Sequence, residues 1–90
     1  MGTLQWVYIM QDSRQRLSVG ISPSTKSAFS LYSNIDRKML YLRAFTVLFD
    51  AVAHKHLLED LSFQTLEYLC HRNKKTTKVW IDFLKESQHI

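Results

Sequence analysis

The residues whose types and spacing could do chemistry are densest near the end of the chain. There His71-Arg72-Asn73-Lys74-Lys75, followed by Lys78, forms the one true basic cluster. Such side chains neutralise phosphate charge without reading a base sequence. They equally suit a solvated helix end, where cations complement the partial negative charge of the last carbonyls. His54 and His56 have the chemistry of metal ligands, but side chains two positions apart on a helix do not face one another, so the pair is not expected to chelate one ion. Cys70 is the only cysteine, cannot close an internal disulfide, and lies in an apolar helical pattern that reads as a buried thiol. Arg43 interrupts an apolar run; a snorkelling surface arginine is the ordinary reading, and an ion pair or anion contact is the other.

The elements that must position these residues start from a hairpin. Residues 6–10 are an unbroken β-branched and aromatic run, residues 17–21 are a shorter one, and Asp12-Ser13-Arg14-Gln15-Arg16 between them is turn-forming. Alternation puts Trp6, Tyr8 and Met10 on one face and Val7 and Ile9 on the other. Neither set is polar, so both faces are expected to be covered. Residues 1–5 lead into this strand. Ser22-Pro23-Ser24 marks a helix start, with the helix over 24–33 and Ala28, Phe29, Leu31 and Tyr32 inward. Residues 38–49 read as a third strand, apolar on both faces except for Arg43. Asp50 is the expected cap of a helix over 51–61, with Ala53, Leu57 and Leu61 inward and Leu58 beside them. Ser62 should cap a helix over 63–73 with Leu66, Leu69 and Cys70 inward and Asn73 at its end. A last helix over 77–86 would seal the core with Val79, Trp80, Phe83 and Leu84. The fold class is thus α/β: a small three-stranded antiparallel sheet from residues 5–11, 16–21 and 38–49, flanked by helices.

The strand pair Trp6-Val7-Tyr8 and Ser18-Val19-Gly20, followed at once by a polar loop and a helix, resembles in part the two-part signature of the GIY-YIG nuclease domain, and the order of elements resembles that family over nearly the whole chain. Tyr8 stands at the tyrosine of the first motif and Gly20 at the glycine of the second, while Ser18 occupies the place of the second tyrosine. The resemblance implies phosphodiester cleavage by tyrosines that manage the nucleophile's protons, an arginine that holds the phosphate and a glutamate that holds one divalent metal. Carried over from Gly20, the arginine position falls on Ala28 and a further histidine position falls on Tyr32. Lys26, the only cation on that helix, lies two residues earlier and roughly 200° around it. Counting from Asp50, the metal-binding glutamate falls on Glu59, which otherwise reads as an ordinary surface acid.

What the resemblance implies, with its departures, is a single GIY-YIG-like domain over residues 1–90, catalytically inactive or weak and retained for nucleic-acid binding. Its vestigial catalytic set would be Tyr8, Ser18 and Glu59. Lys26, Arg43, Arg72, Lys74, Lys75 and Lys78 are the expected nucleic-acid contacts. No cofactor is expected; an active domain would hold Mg²⁺ at Glu59. One alternative is a working Mg²⁺-dependent endonuclease in which Ser18, Lys26 or Arg43 supplies a missing group, and another is a module that binds a protein through the former nuclease face. DNA, RNA or a protein are therefore the expected partners.

Composition bounds these readings. Twelve Lys and Arg against eight Asp and Glu give a formal charge of +4, a mild excess compatible with a polyanionic partner. With 46% hydrophobic and 22% charged residues in a 90-residue chain, a single ordered domain is expected rather than a disordered one. No apolar run approaches the ~18 residues of a membrane span and no secretory signal pattern opens the chain, which predicts a soluble cytoplasmic protein without a membrane partner.

Overall fold

The computed structural model describes residues 4–88, so residues 1–3 of the expected lead-in lie outside the described residues. The hairpin is the centre of the structure. Strand β1 (Gln5–Gln11) is flanked by β2 (Leu17–Ser22) on one side and β3 (Lys38–Phe45) on the other, all antiparallel. The register of β1 against β3 shifts between Ile9 and Met10, where β3 carries an extra residue. Asp12 closes the hairpin by accepting hydrogen bonds from the backbone N–H groups of Arg14 and Arg16, both at 2.9 Å, and from the Arg16 Nε at 3.0 Å. These donors, the Arg16 N–H above all, hold the Asp12 carboxyl below its usual range. Gln15 takes the left-handed region, φ 64°, that the turn requires.

Both faces of the sheet are covered, as the alternation predicts. Trp6 and Met10 pack with Ala28 of α1 (Thr25–Tyr32) and Leu84 of α4 (Lys74–Ser87). Val7, Ile9 and Tyr41 pack with Ala51 and Leu58 of α2 (Leu48–Glu59) and Leu66 and Cys70 of α3 (Phe63–Arg72). The result is three layers with the sheet in the middle. Trp6 is fully buried, meets Trp80 edge-on at 5.4 Å and donates its indole N–H to the Thr25 hydroxyl at 3.3 Å. Burial of a side chain of this size contributes about 2–3 kcal/mol. Ser24 and Ser62 cap α1 and α3, each accepting the N–H three residues on, at 3.1 and 3.3 Å. Of α3, Leu66, Leu69 and Cys70 turn inward as the periodicity predicts.

Several element boundaries and two helix faces differ from the sequence reading. Strand β2 covers Leu17–Ser22 rather than 16–21, because Arg16 belongs to the turn. Strand β3 ends at Phe45 rather than at residue 49, and α2 begins at Leu48 with Val47 at its cap position. Asp50 is therefore in the first turn of α2, where its charge complements the helix start without capping it. A continuous apolar run carries no period with which to separate strand from helix, and an uncapped start gives no polar signal. Helix α4 likewise begins at Lys74 rather than 77, because Asn73 ends α3 and opens α4. On α2 the inward residues are Ala51 and Leu58, with Leu61 beyond the helix end, whereas Ala53 and Leu57 face solvent. On α4 the inward residues are Thr77, Trp80, Ile81 and Leu84; Val79 is 65% exposed and Phe83 only partly covered. Thr77 was not part of the expected stripe. Its buried hydroxyl accepts the Leu42 N–H at 3.3 Å, which gives edge strand β3 a partner and fixes α4 across its edge. No helix among the described residues is long and apolar enough to cross a membrane.

Candidate nucleic-acid interface

Tyr8 and Ser18 lie on neighbouring strands with their side chains on the same face. Tyr8 pairs with Gly20 and Ser18 with Met10, which makes Tyr8 and Ser18 diagonal neighbours, a relation that puts Cβ atoms somewhat less than about 7–8 Å apart. Gly20 has a packing reason to be glycine. A Cβ built there would meet the Tyr8 ring, within 2.9 Å of Cε1 and closer still to the hydroxyl end, so the ring lies directly across position 20. On α1, Ala28 is fully buried, Lys26 is exposed, and Tyr32 is half-buried with the Lys85 ammonium 5.6 Å from its ring centroid.

Glu59 is not brought to this face. It ends α2, whose Ala51 and Leu58 pack on the opposite side of the sheet, so the sheet stands between Glu59 and the Tyr8 ring. Its carboxylate is bridged by Lys55 and His56, both at 3.4 Å. Both contacts engage the Glu59 carboxylate in ion pairs at the end of α2, on the far side of the sheet from Tyr8 and Ala28. Among the described residues, no group of three or more His, Cys, Asp or Glu side chains gathers where it could hold a metal ion. The two histidines part company, as their spacing predicts. His54 turns inward, its Nε2 2.8 Å from the Tyr41 hydroxyl and its ring against Tyr41 and Phe45, whereas His56 is turned toward Glu59. Burial, reinforced by the Arg43 charge, pushes the His54 pKa down, and burial pushes that of Tyr41 up. Cys70 is buried and its thiol is raised to about 11, chiefly by burial and then by Glu67, so it is inert near neutrality.

The basic cluster does assemble. A groove of about 1010 Å³ runs between the start of β3 and the two C-terminal helices. Lys38 lines one wall; Arg72 of α3 and Lys74, Lys75, Lys78 and Lys85 of α4 line the other. Six of the chain's twelve Lys and Arg residues thus face one groove, and Asp82 is the only acid among its lining residues. None of the six is ion-paired among the described residues. Arg72 donates to the Tyr68 hydroxyl at 3.3 Å, which holds the guanidinium at the rim. The floor is apolar, with Met39, Leu40 and Ile81.

Of the six contacts expected from sequence, Arg72, Lys74, Lys75 and Lys78 meet here. Lys26 does not line the groove, and Arg43 lies next to it in a smaller cavity. Lys38 and Lys85 are the members that sequence reasoning missed. Lys85 had a signal, since Lys74, Lys78 and Lys85 repeat at i, i+4 and i+11 along one helix face. Lys38 had none, because only the packing of α4 against β3 brings it opposite. Comparison with known proteins finds no matching family model, no matching curated protein and no matching solved structure.

Proposed function

We propose that this domain binds nucleic acid through the groove between β3 and α4, and that it is a degenerate relative of the GIY-YIG nucleases retained for binding rather than cleavage. The observation that carries the binding reading is the convergence of six unpaired cations, from three separate elements, on a groove with a single acid. Unpaired cations at this density repel one another, and a polyanion relieves that repulsion. The mechanism is charge neutralisation: phosphates displace their condensed counterions as lysines and Arg72 approach, which drives association entropically and fixes register without reading bases. The distance between Tyr8 and Glu59 across the sheet, together with Ala28 and Ser18 at the positions of the arginine and second tyrosine, supports loss of turnover.

The test is a titration of labelled DNA and RNA duplexes and single strands at rising salt. If all six cations contact phosphates, log K falls with log salt at a slope of about −5 on B-DNA. Lys74→Gln, Lys75→Gln and Lys78→Gln together should shallow that slope by about three while leaving the melting temperature in place. Absence of binding at low salt would remove the reading.

A further inference from the structure

Beyond Thr77 the groove gives way to a second, smaller cavity of about 280 Å³ between β3 and the α3–α4 junction. Its lining is Tyr41, Leu42 and Arg43 from β3, and Asn73, Thr76 and Thr77 from the junction. Thr77 lines both cavities and, bonded to the Leu42 N–H, stands at the boundary between them. No carboxylate lines the smaller one, and Arg43 has no ion-pair partner among the described residues.

Arg43 is held in place without being neutralised. Its guanidinium lies 5.2 Å from the Phe45 ring centroid, a cation–π contact that orients the fork, and one side of the fork faces the Tyr41 hydroxyl. Its charge reaches inward as well, since it disfavours protonation of His54. The same lining includes residues whose side chains suit an oxyanion, Thr76, Asn73 and Tyr41. The Asn73 Nδ2 gives one N–H to the Leu69 carbonyl at 2.8 Å and Tyr41 meets His54, so Arg43, Thr76 and the second Asn73 N–H are the donors left to a ligand. A planar guanidinium in a cavity that also carries a hydroxyl residue and no lining carboxylate offers the fork that phosphate oxygens accept bidentately.

We propose that the Arg43 cavity is a phosphate-binding pocket that receives one phosphate of the strand whose backbone lies in the adjoining lysine groove. This rests on the proposed function and adds a defined anchoring point to it. Lys38 and Arg43 stand five positions apart on β3, roughly 17 Å at about 3.3 Å per strand residue. A nucleic-acid strand rising about 3.4 Å per nucleotide covers that span in about five nucleotides. The anchored phosphate is either a terminal monoester or an internal diester, and both offer the same oxygens to Arg43.

The experiment measures binding of the full chain to three labelled ten-nucleotide DNA strands, with hydroxyl ends, a 5′-phosphate or a 3′-phosphate. Arg43→Gln should weaken binding about 10- to 100-fold, the range for loss of a charge-assisted contact. Arg43→Lys should recover only part of that loss, because it keeps the charge and not the fork. Thr76→Val, at an exposed position, should weaken binding several-fold and supplies an independent variant. An equal loss on all three strands assigns the pocket to an internal diester, and a loss confined to a phosphate-ended strand assigns it to a terminal monoester. Binding by Arg43→Gln within twofold of wild type on every strand, while the triple lysine variant binds weakly, overturns the pocket and leaves the groove standing. If the triple lysine variant also binds normally, the groove falls and the pocket with it.

Discussion

Around Tyr8 the side chains that the sequence brings forward, apart from the exposed Ser18, are engaged in packing. The Tyr8 ring covers Gly20, Ala28 is fully buried, and Trp6 fills the space under α1 and α4. Along β3, by contrast, six cations from β3, α3 and α4 face one groove with one acid and, among the described residues, no ion pair. Residue types alone would rank the two regions the other way, since tyrosine, serine and glycine at motif spacing look more like chemistry than a run of lysines. Unsatisfied charge is the more informative signal. A packed tyrosine is explained by the area it buries, whereas a cluster of unpaired cations leaves free energy that a ligand can supply.

The largest effect expected concerns turnover. Purified protein with Mg²⁺ or Mn²⁺ should show no more than trace cleavage of DNA or RNA, since one missing charge-stabilising group alone is worth about 100- to 1000-fold in rate. Robust metal-dependent cleavage that is abolished by Tyr8→Phe or Glu59→Ala would reverse the contrast between the two regions. Next is the packed face itself. Trp6→Ala should destabilise the domain by about 3–5 kcal/mol in a denaturant melt, and a loss under 1 kcal/mol would mean that the face is not the core it looks like.

Gly20→Ala should cost about 1–3 kcal/mol through collision with the Tyr8 ring. The same substitution in a Tyr8→Ala background should cost much less, and a double-mutant cycle reads the difference as coupling. Additive losses would mean that position 20 is glycine for another reason. In the groove, Lys38→Gln and Lys85→Gln should each shallow the salt dependence by about one, as much as Lys78→Gln does. A lysine cluster acting only through residues 72–78 would leave both without effect.

The smallest effect is on pH. The folded-state pKa of His54 lies below the ordinary histidine value of 6.5, so the unfolded chain binds the extra proton first. Stability from this group is therefore fully present above pH 6.5 and is lost as pH falls through the depressed folded-state value. His54→Gln should flatten this part of the stability profile, followed by melting temperature from pH 7.5 downward. Asp12 adds a loss of the same sign at lower pH, below its ordinary 3.8, as its carboxylate protonates and releases the turn.

Much of the scaffold was legible because its signals are local. The hairpin follows from two apolar runs around Asp12, the caps at Ser24 and Ser62 follow from hydroxyls that accept the first free N–H groups, and the inward face of α3 follows from its 3.6-residue period. The core of the basic cluster was legible too, since Arg72, Lys74, Lys75 and Lys78 are close in sequence. What the tertiary structure decided are matters of which side and which neighbour. The run 38–49 changes from strand to helix across Thr46 and Val47 with no capping side chain to mark the change, and α2 shows Ala51 and Leu58 to the sheet rather than Ala53 and Leu57 because of how it docks. The sheet separates Tyr8 from Glu59, and the crossing of α4 over the edge of β3, held by Thr77 against Leu42, sets Lys38 opposite Lys78 and Lys85. Capping and periodicity act within a few residues of the chain, but charges far apart in sequence gather only when packing has fixed the layers, so the groove belongs to the fold and its raw material to the sequence.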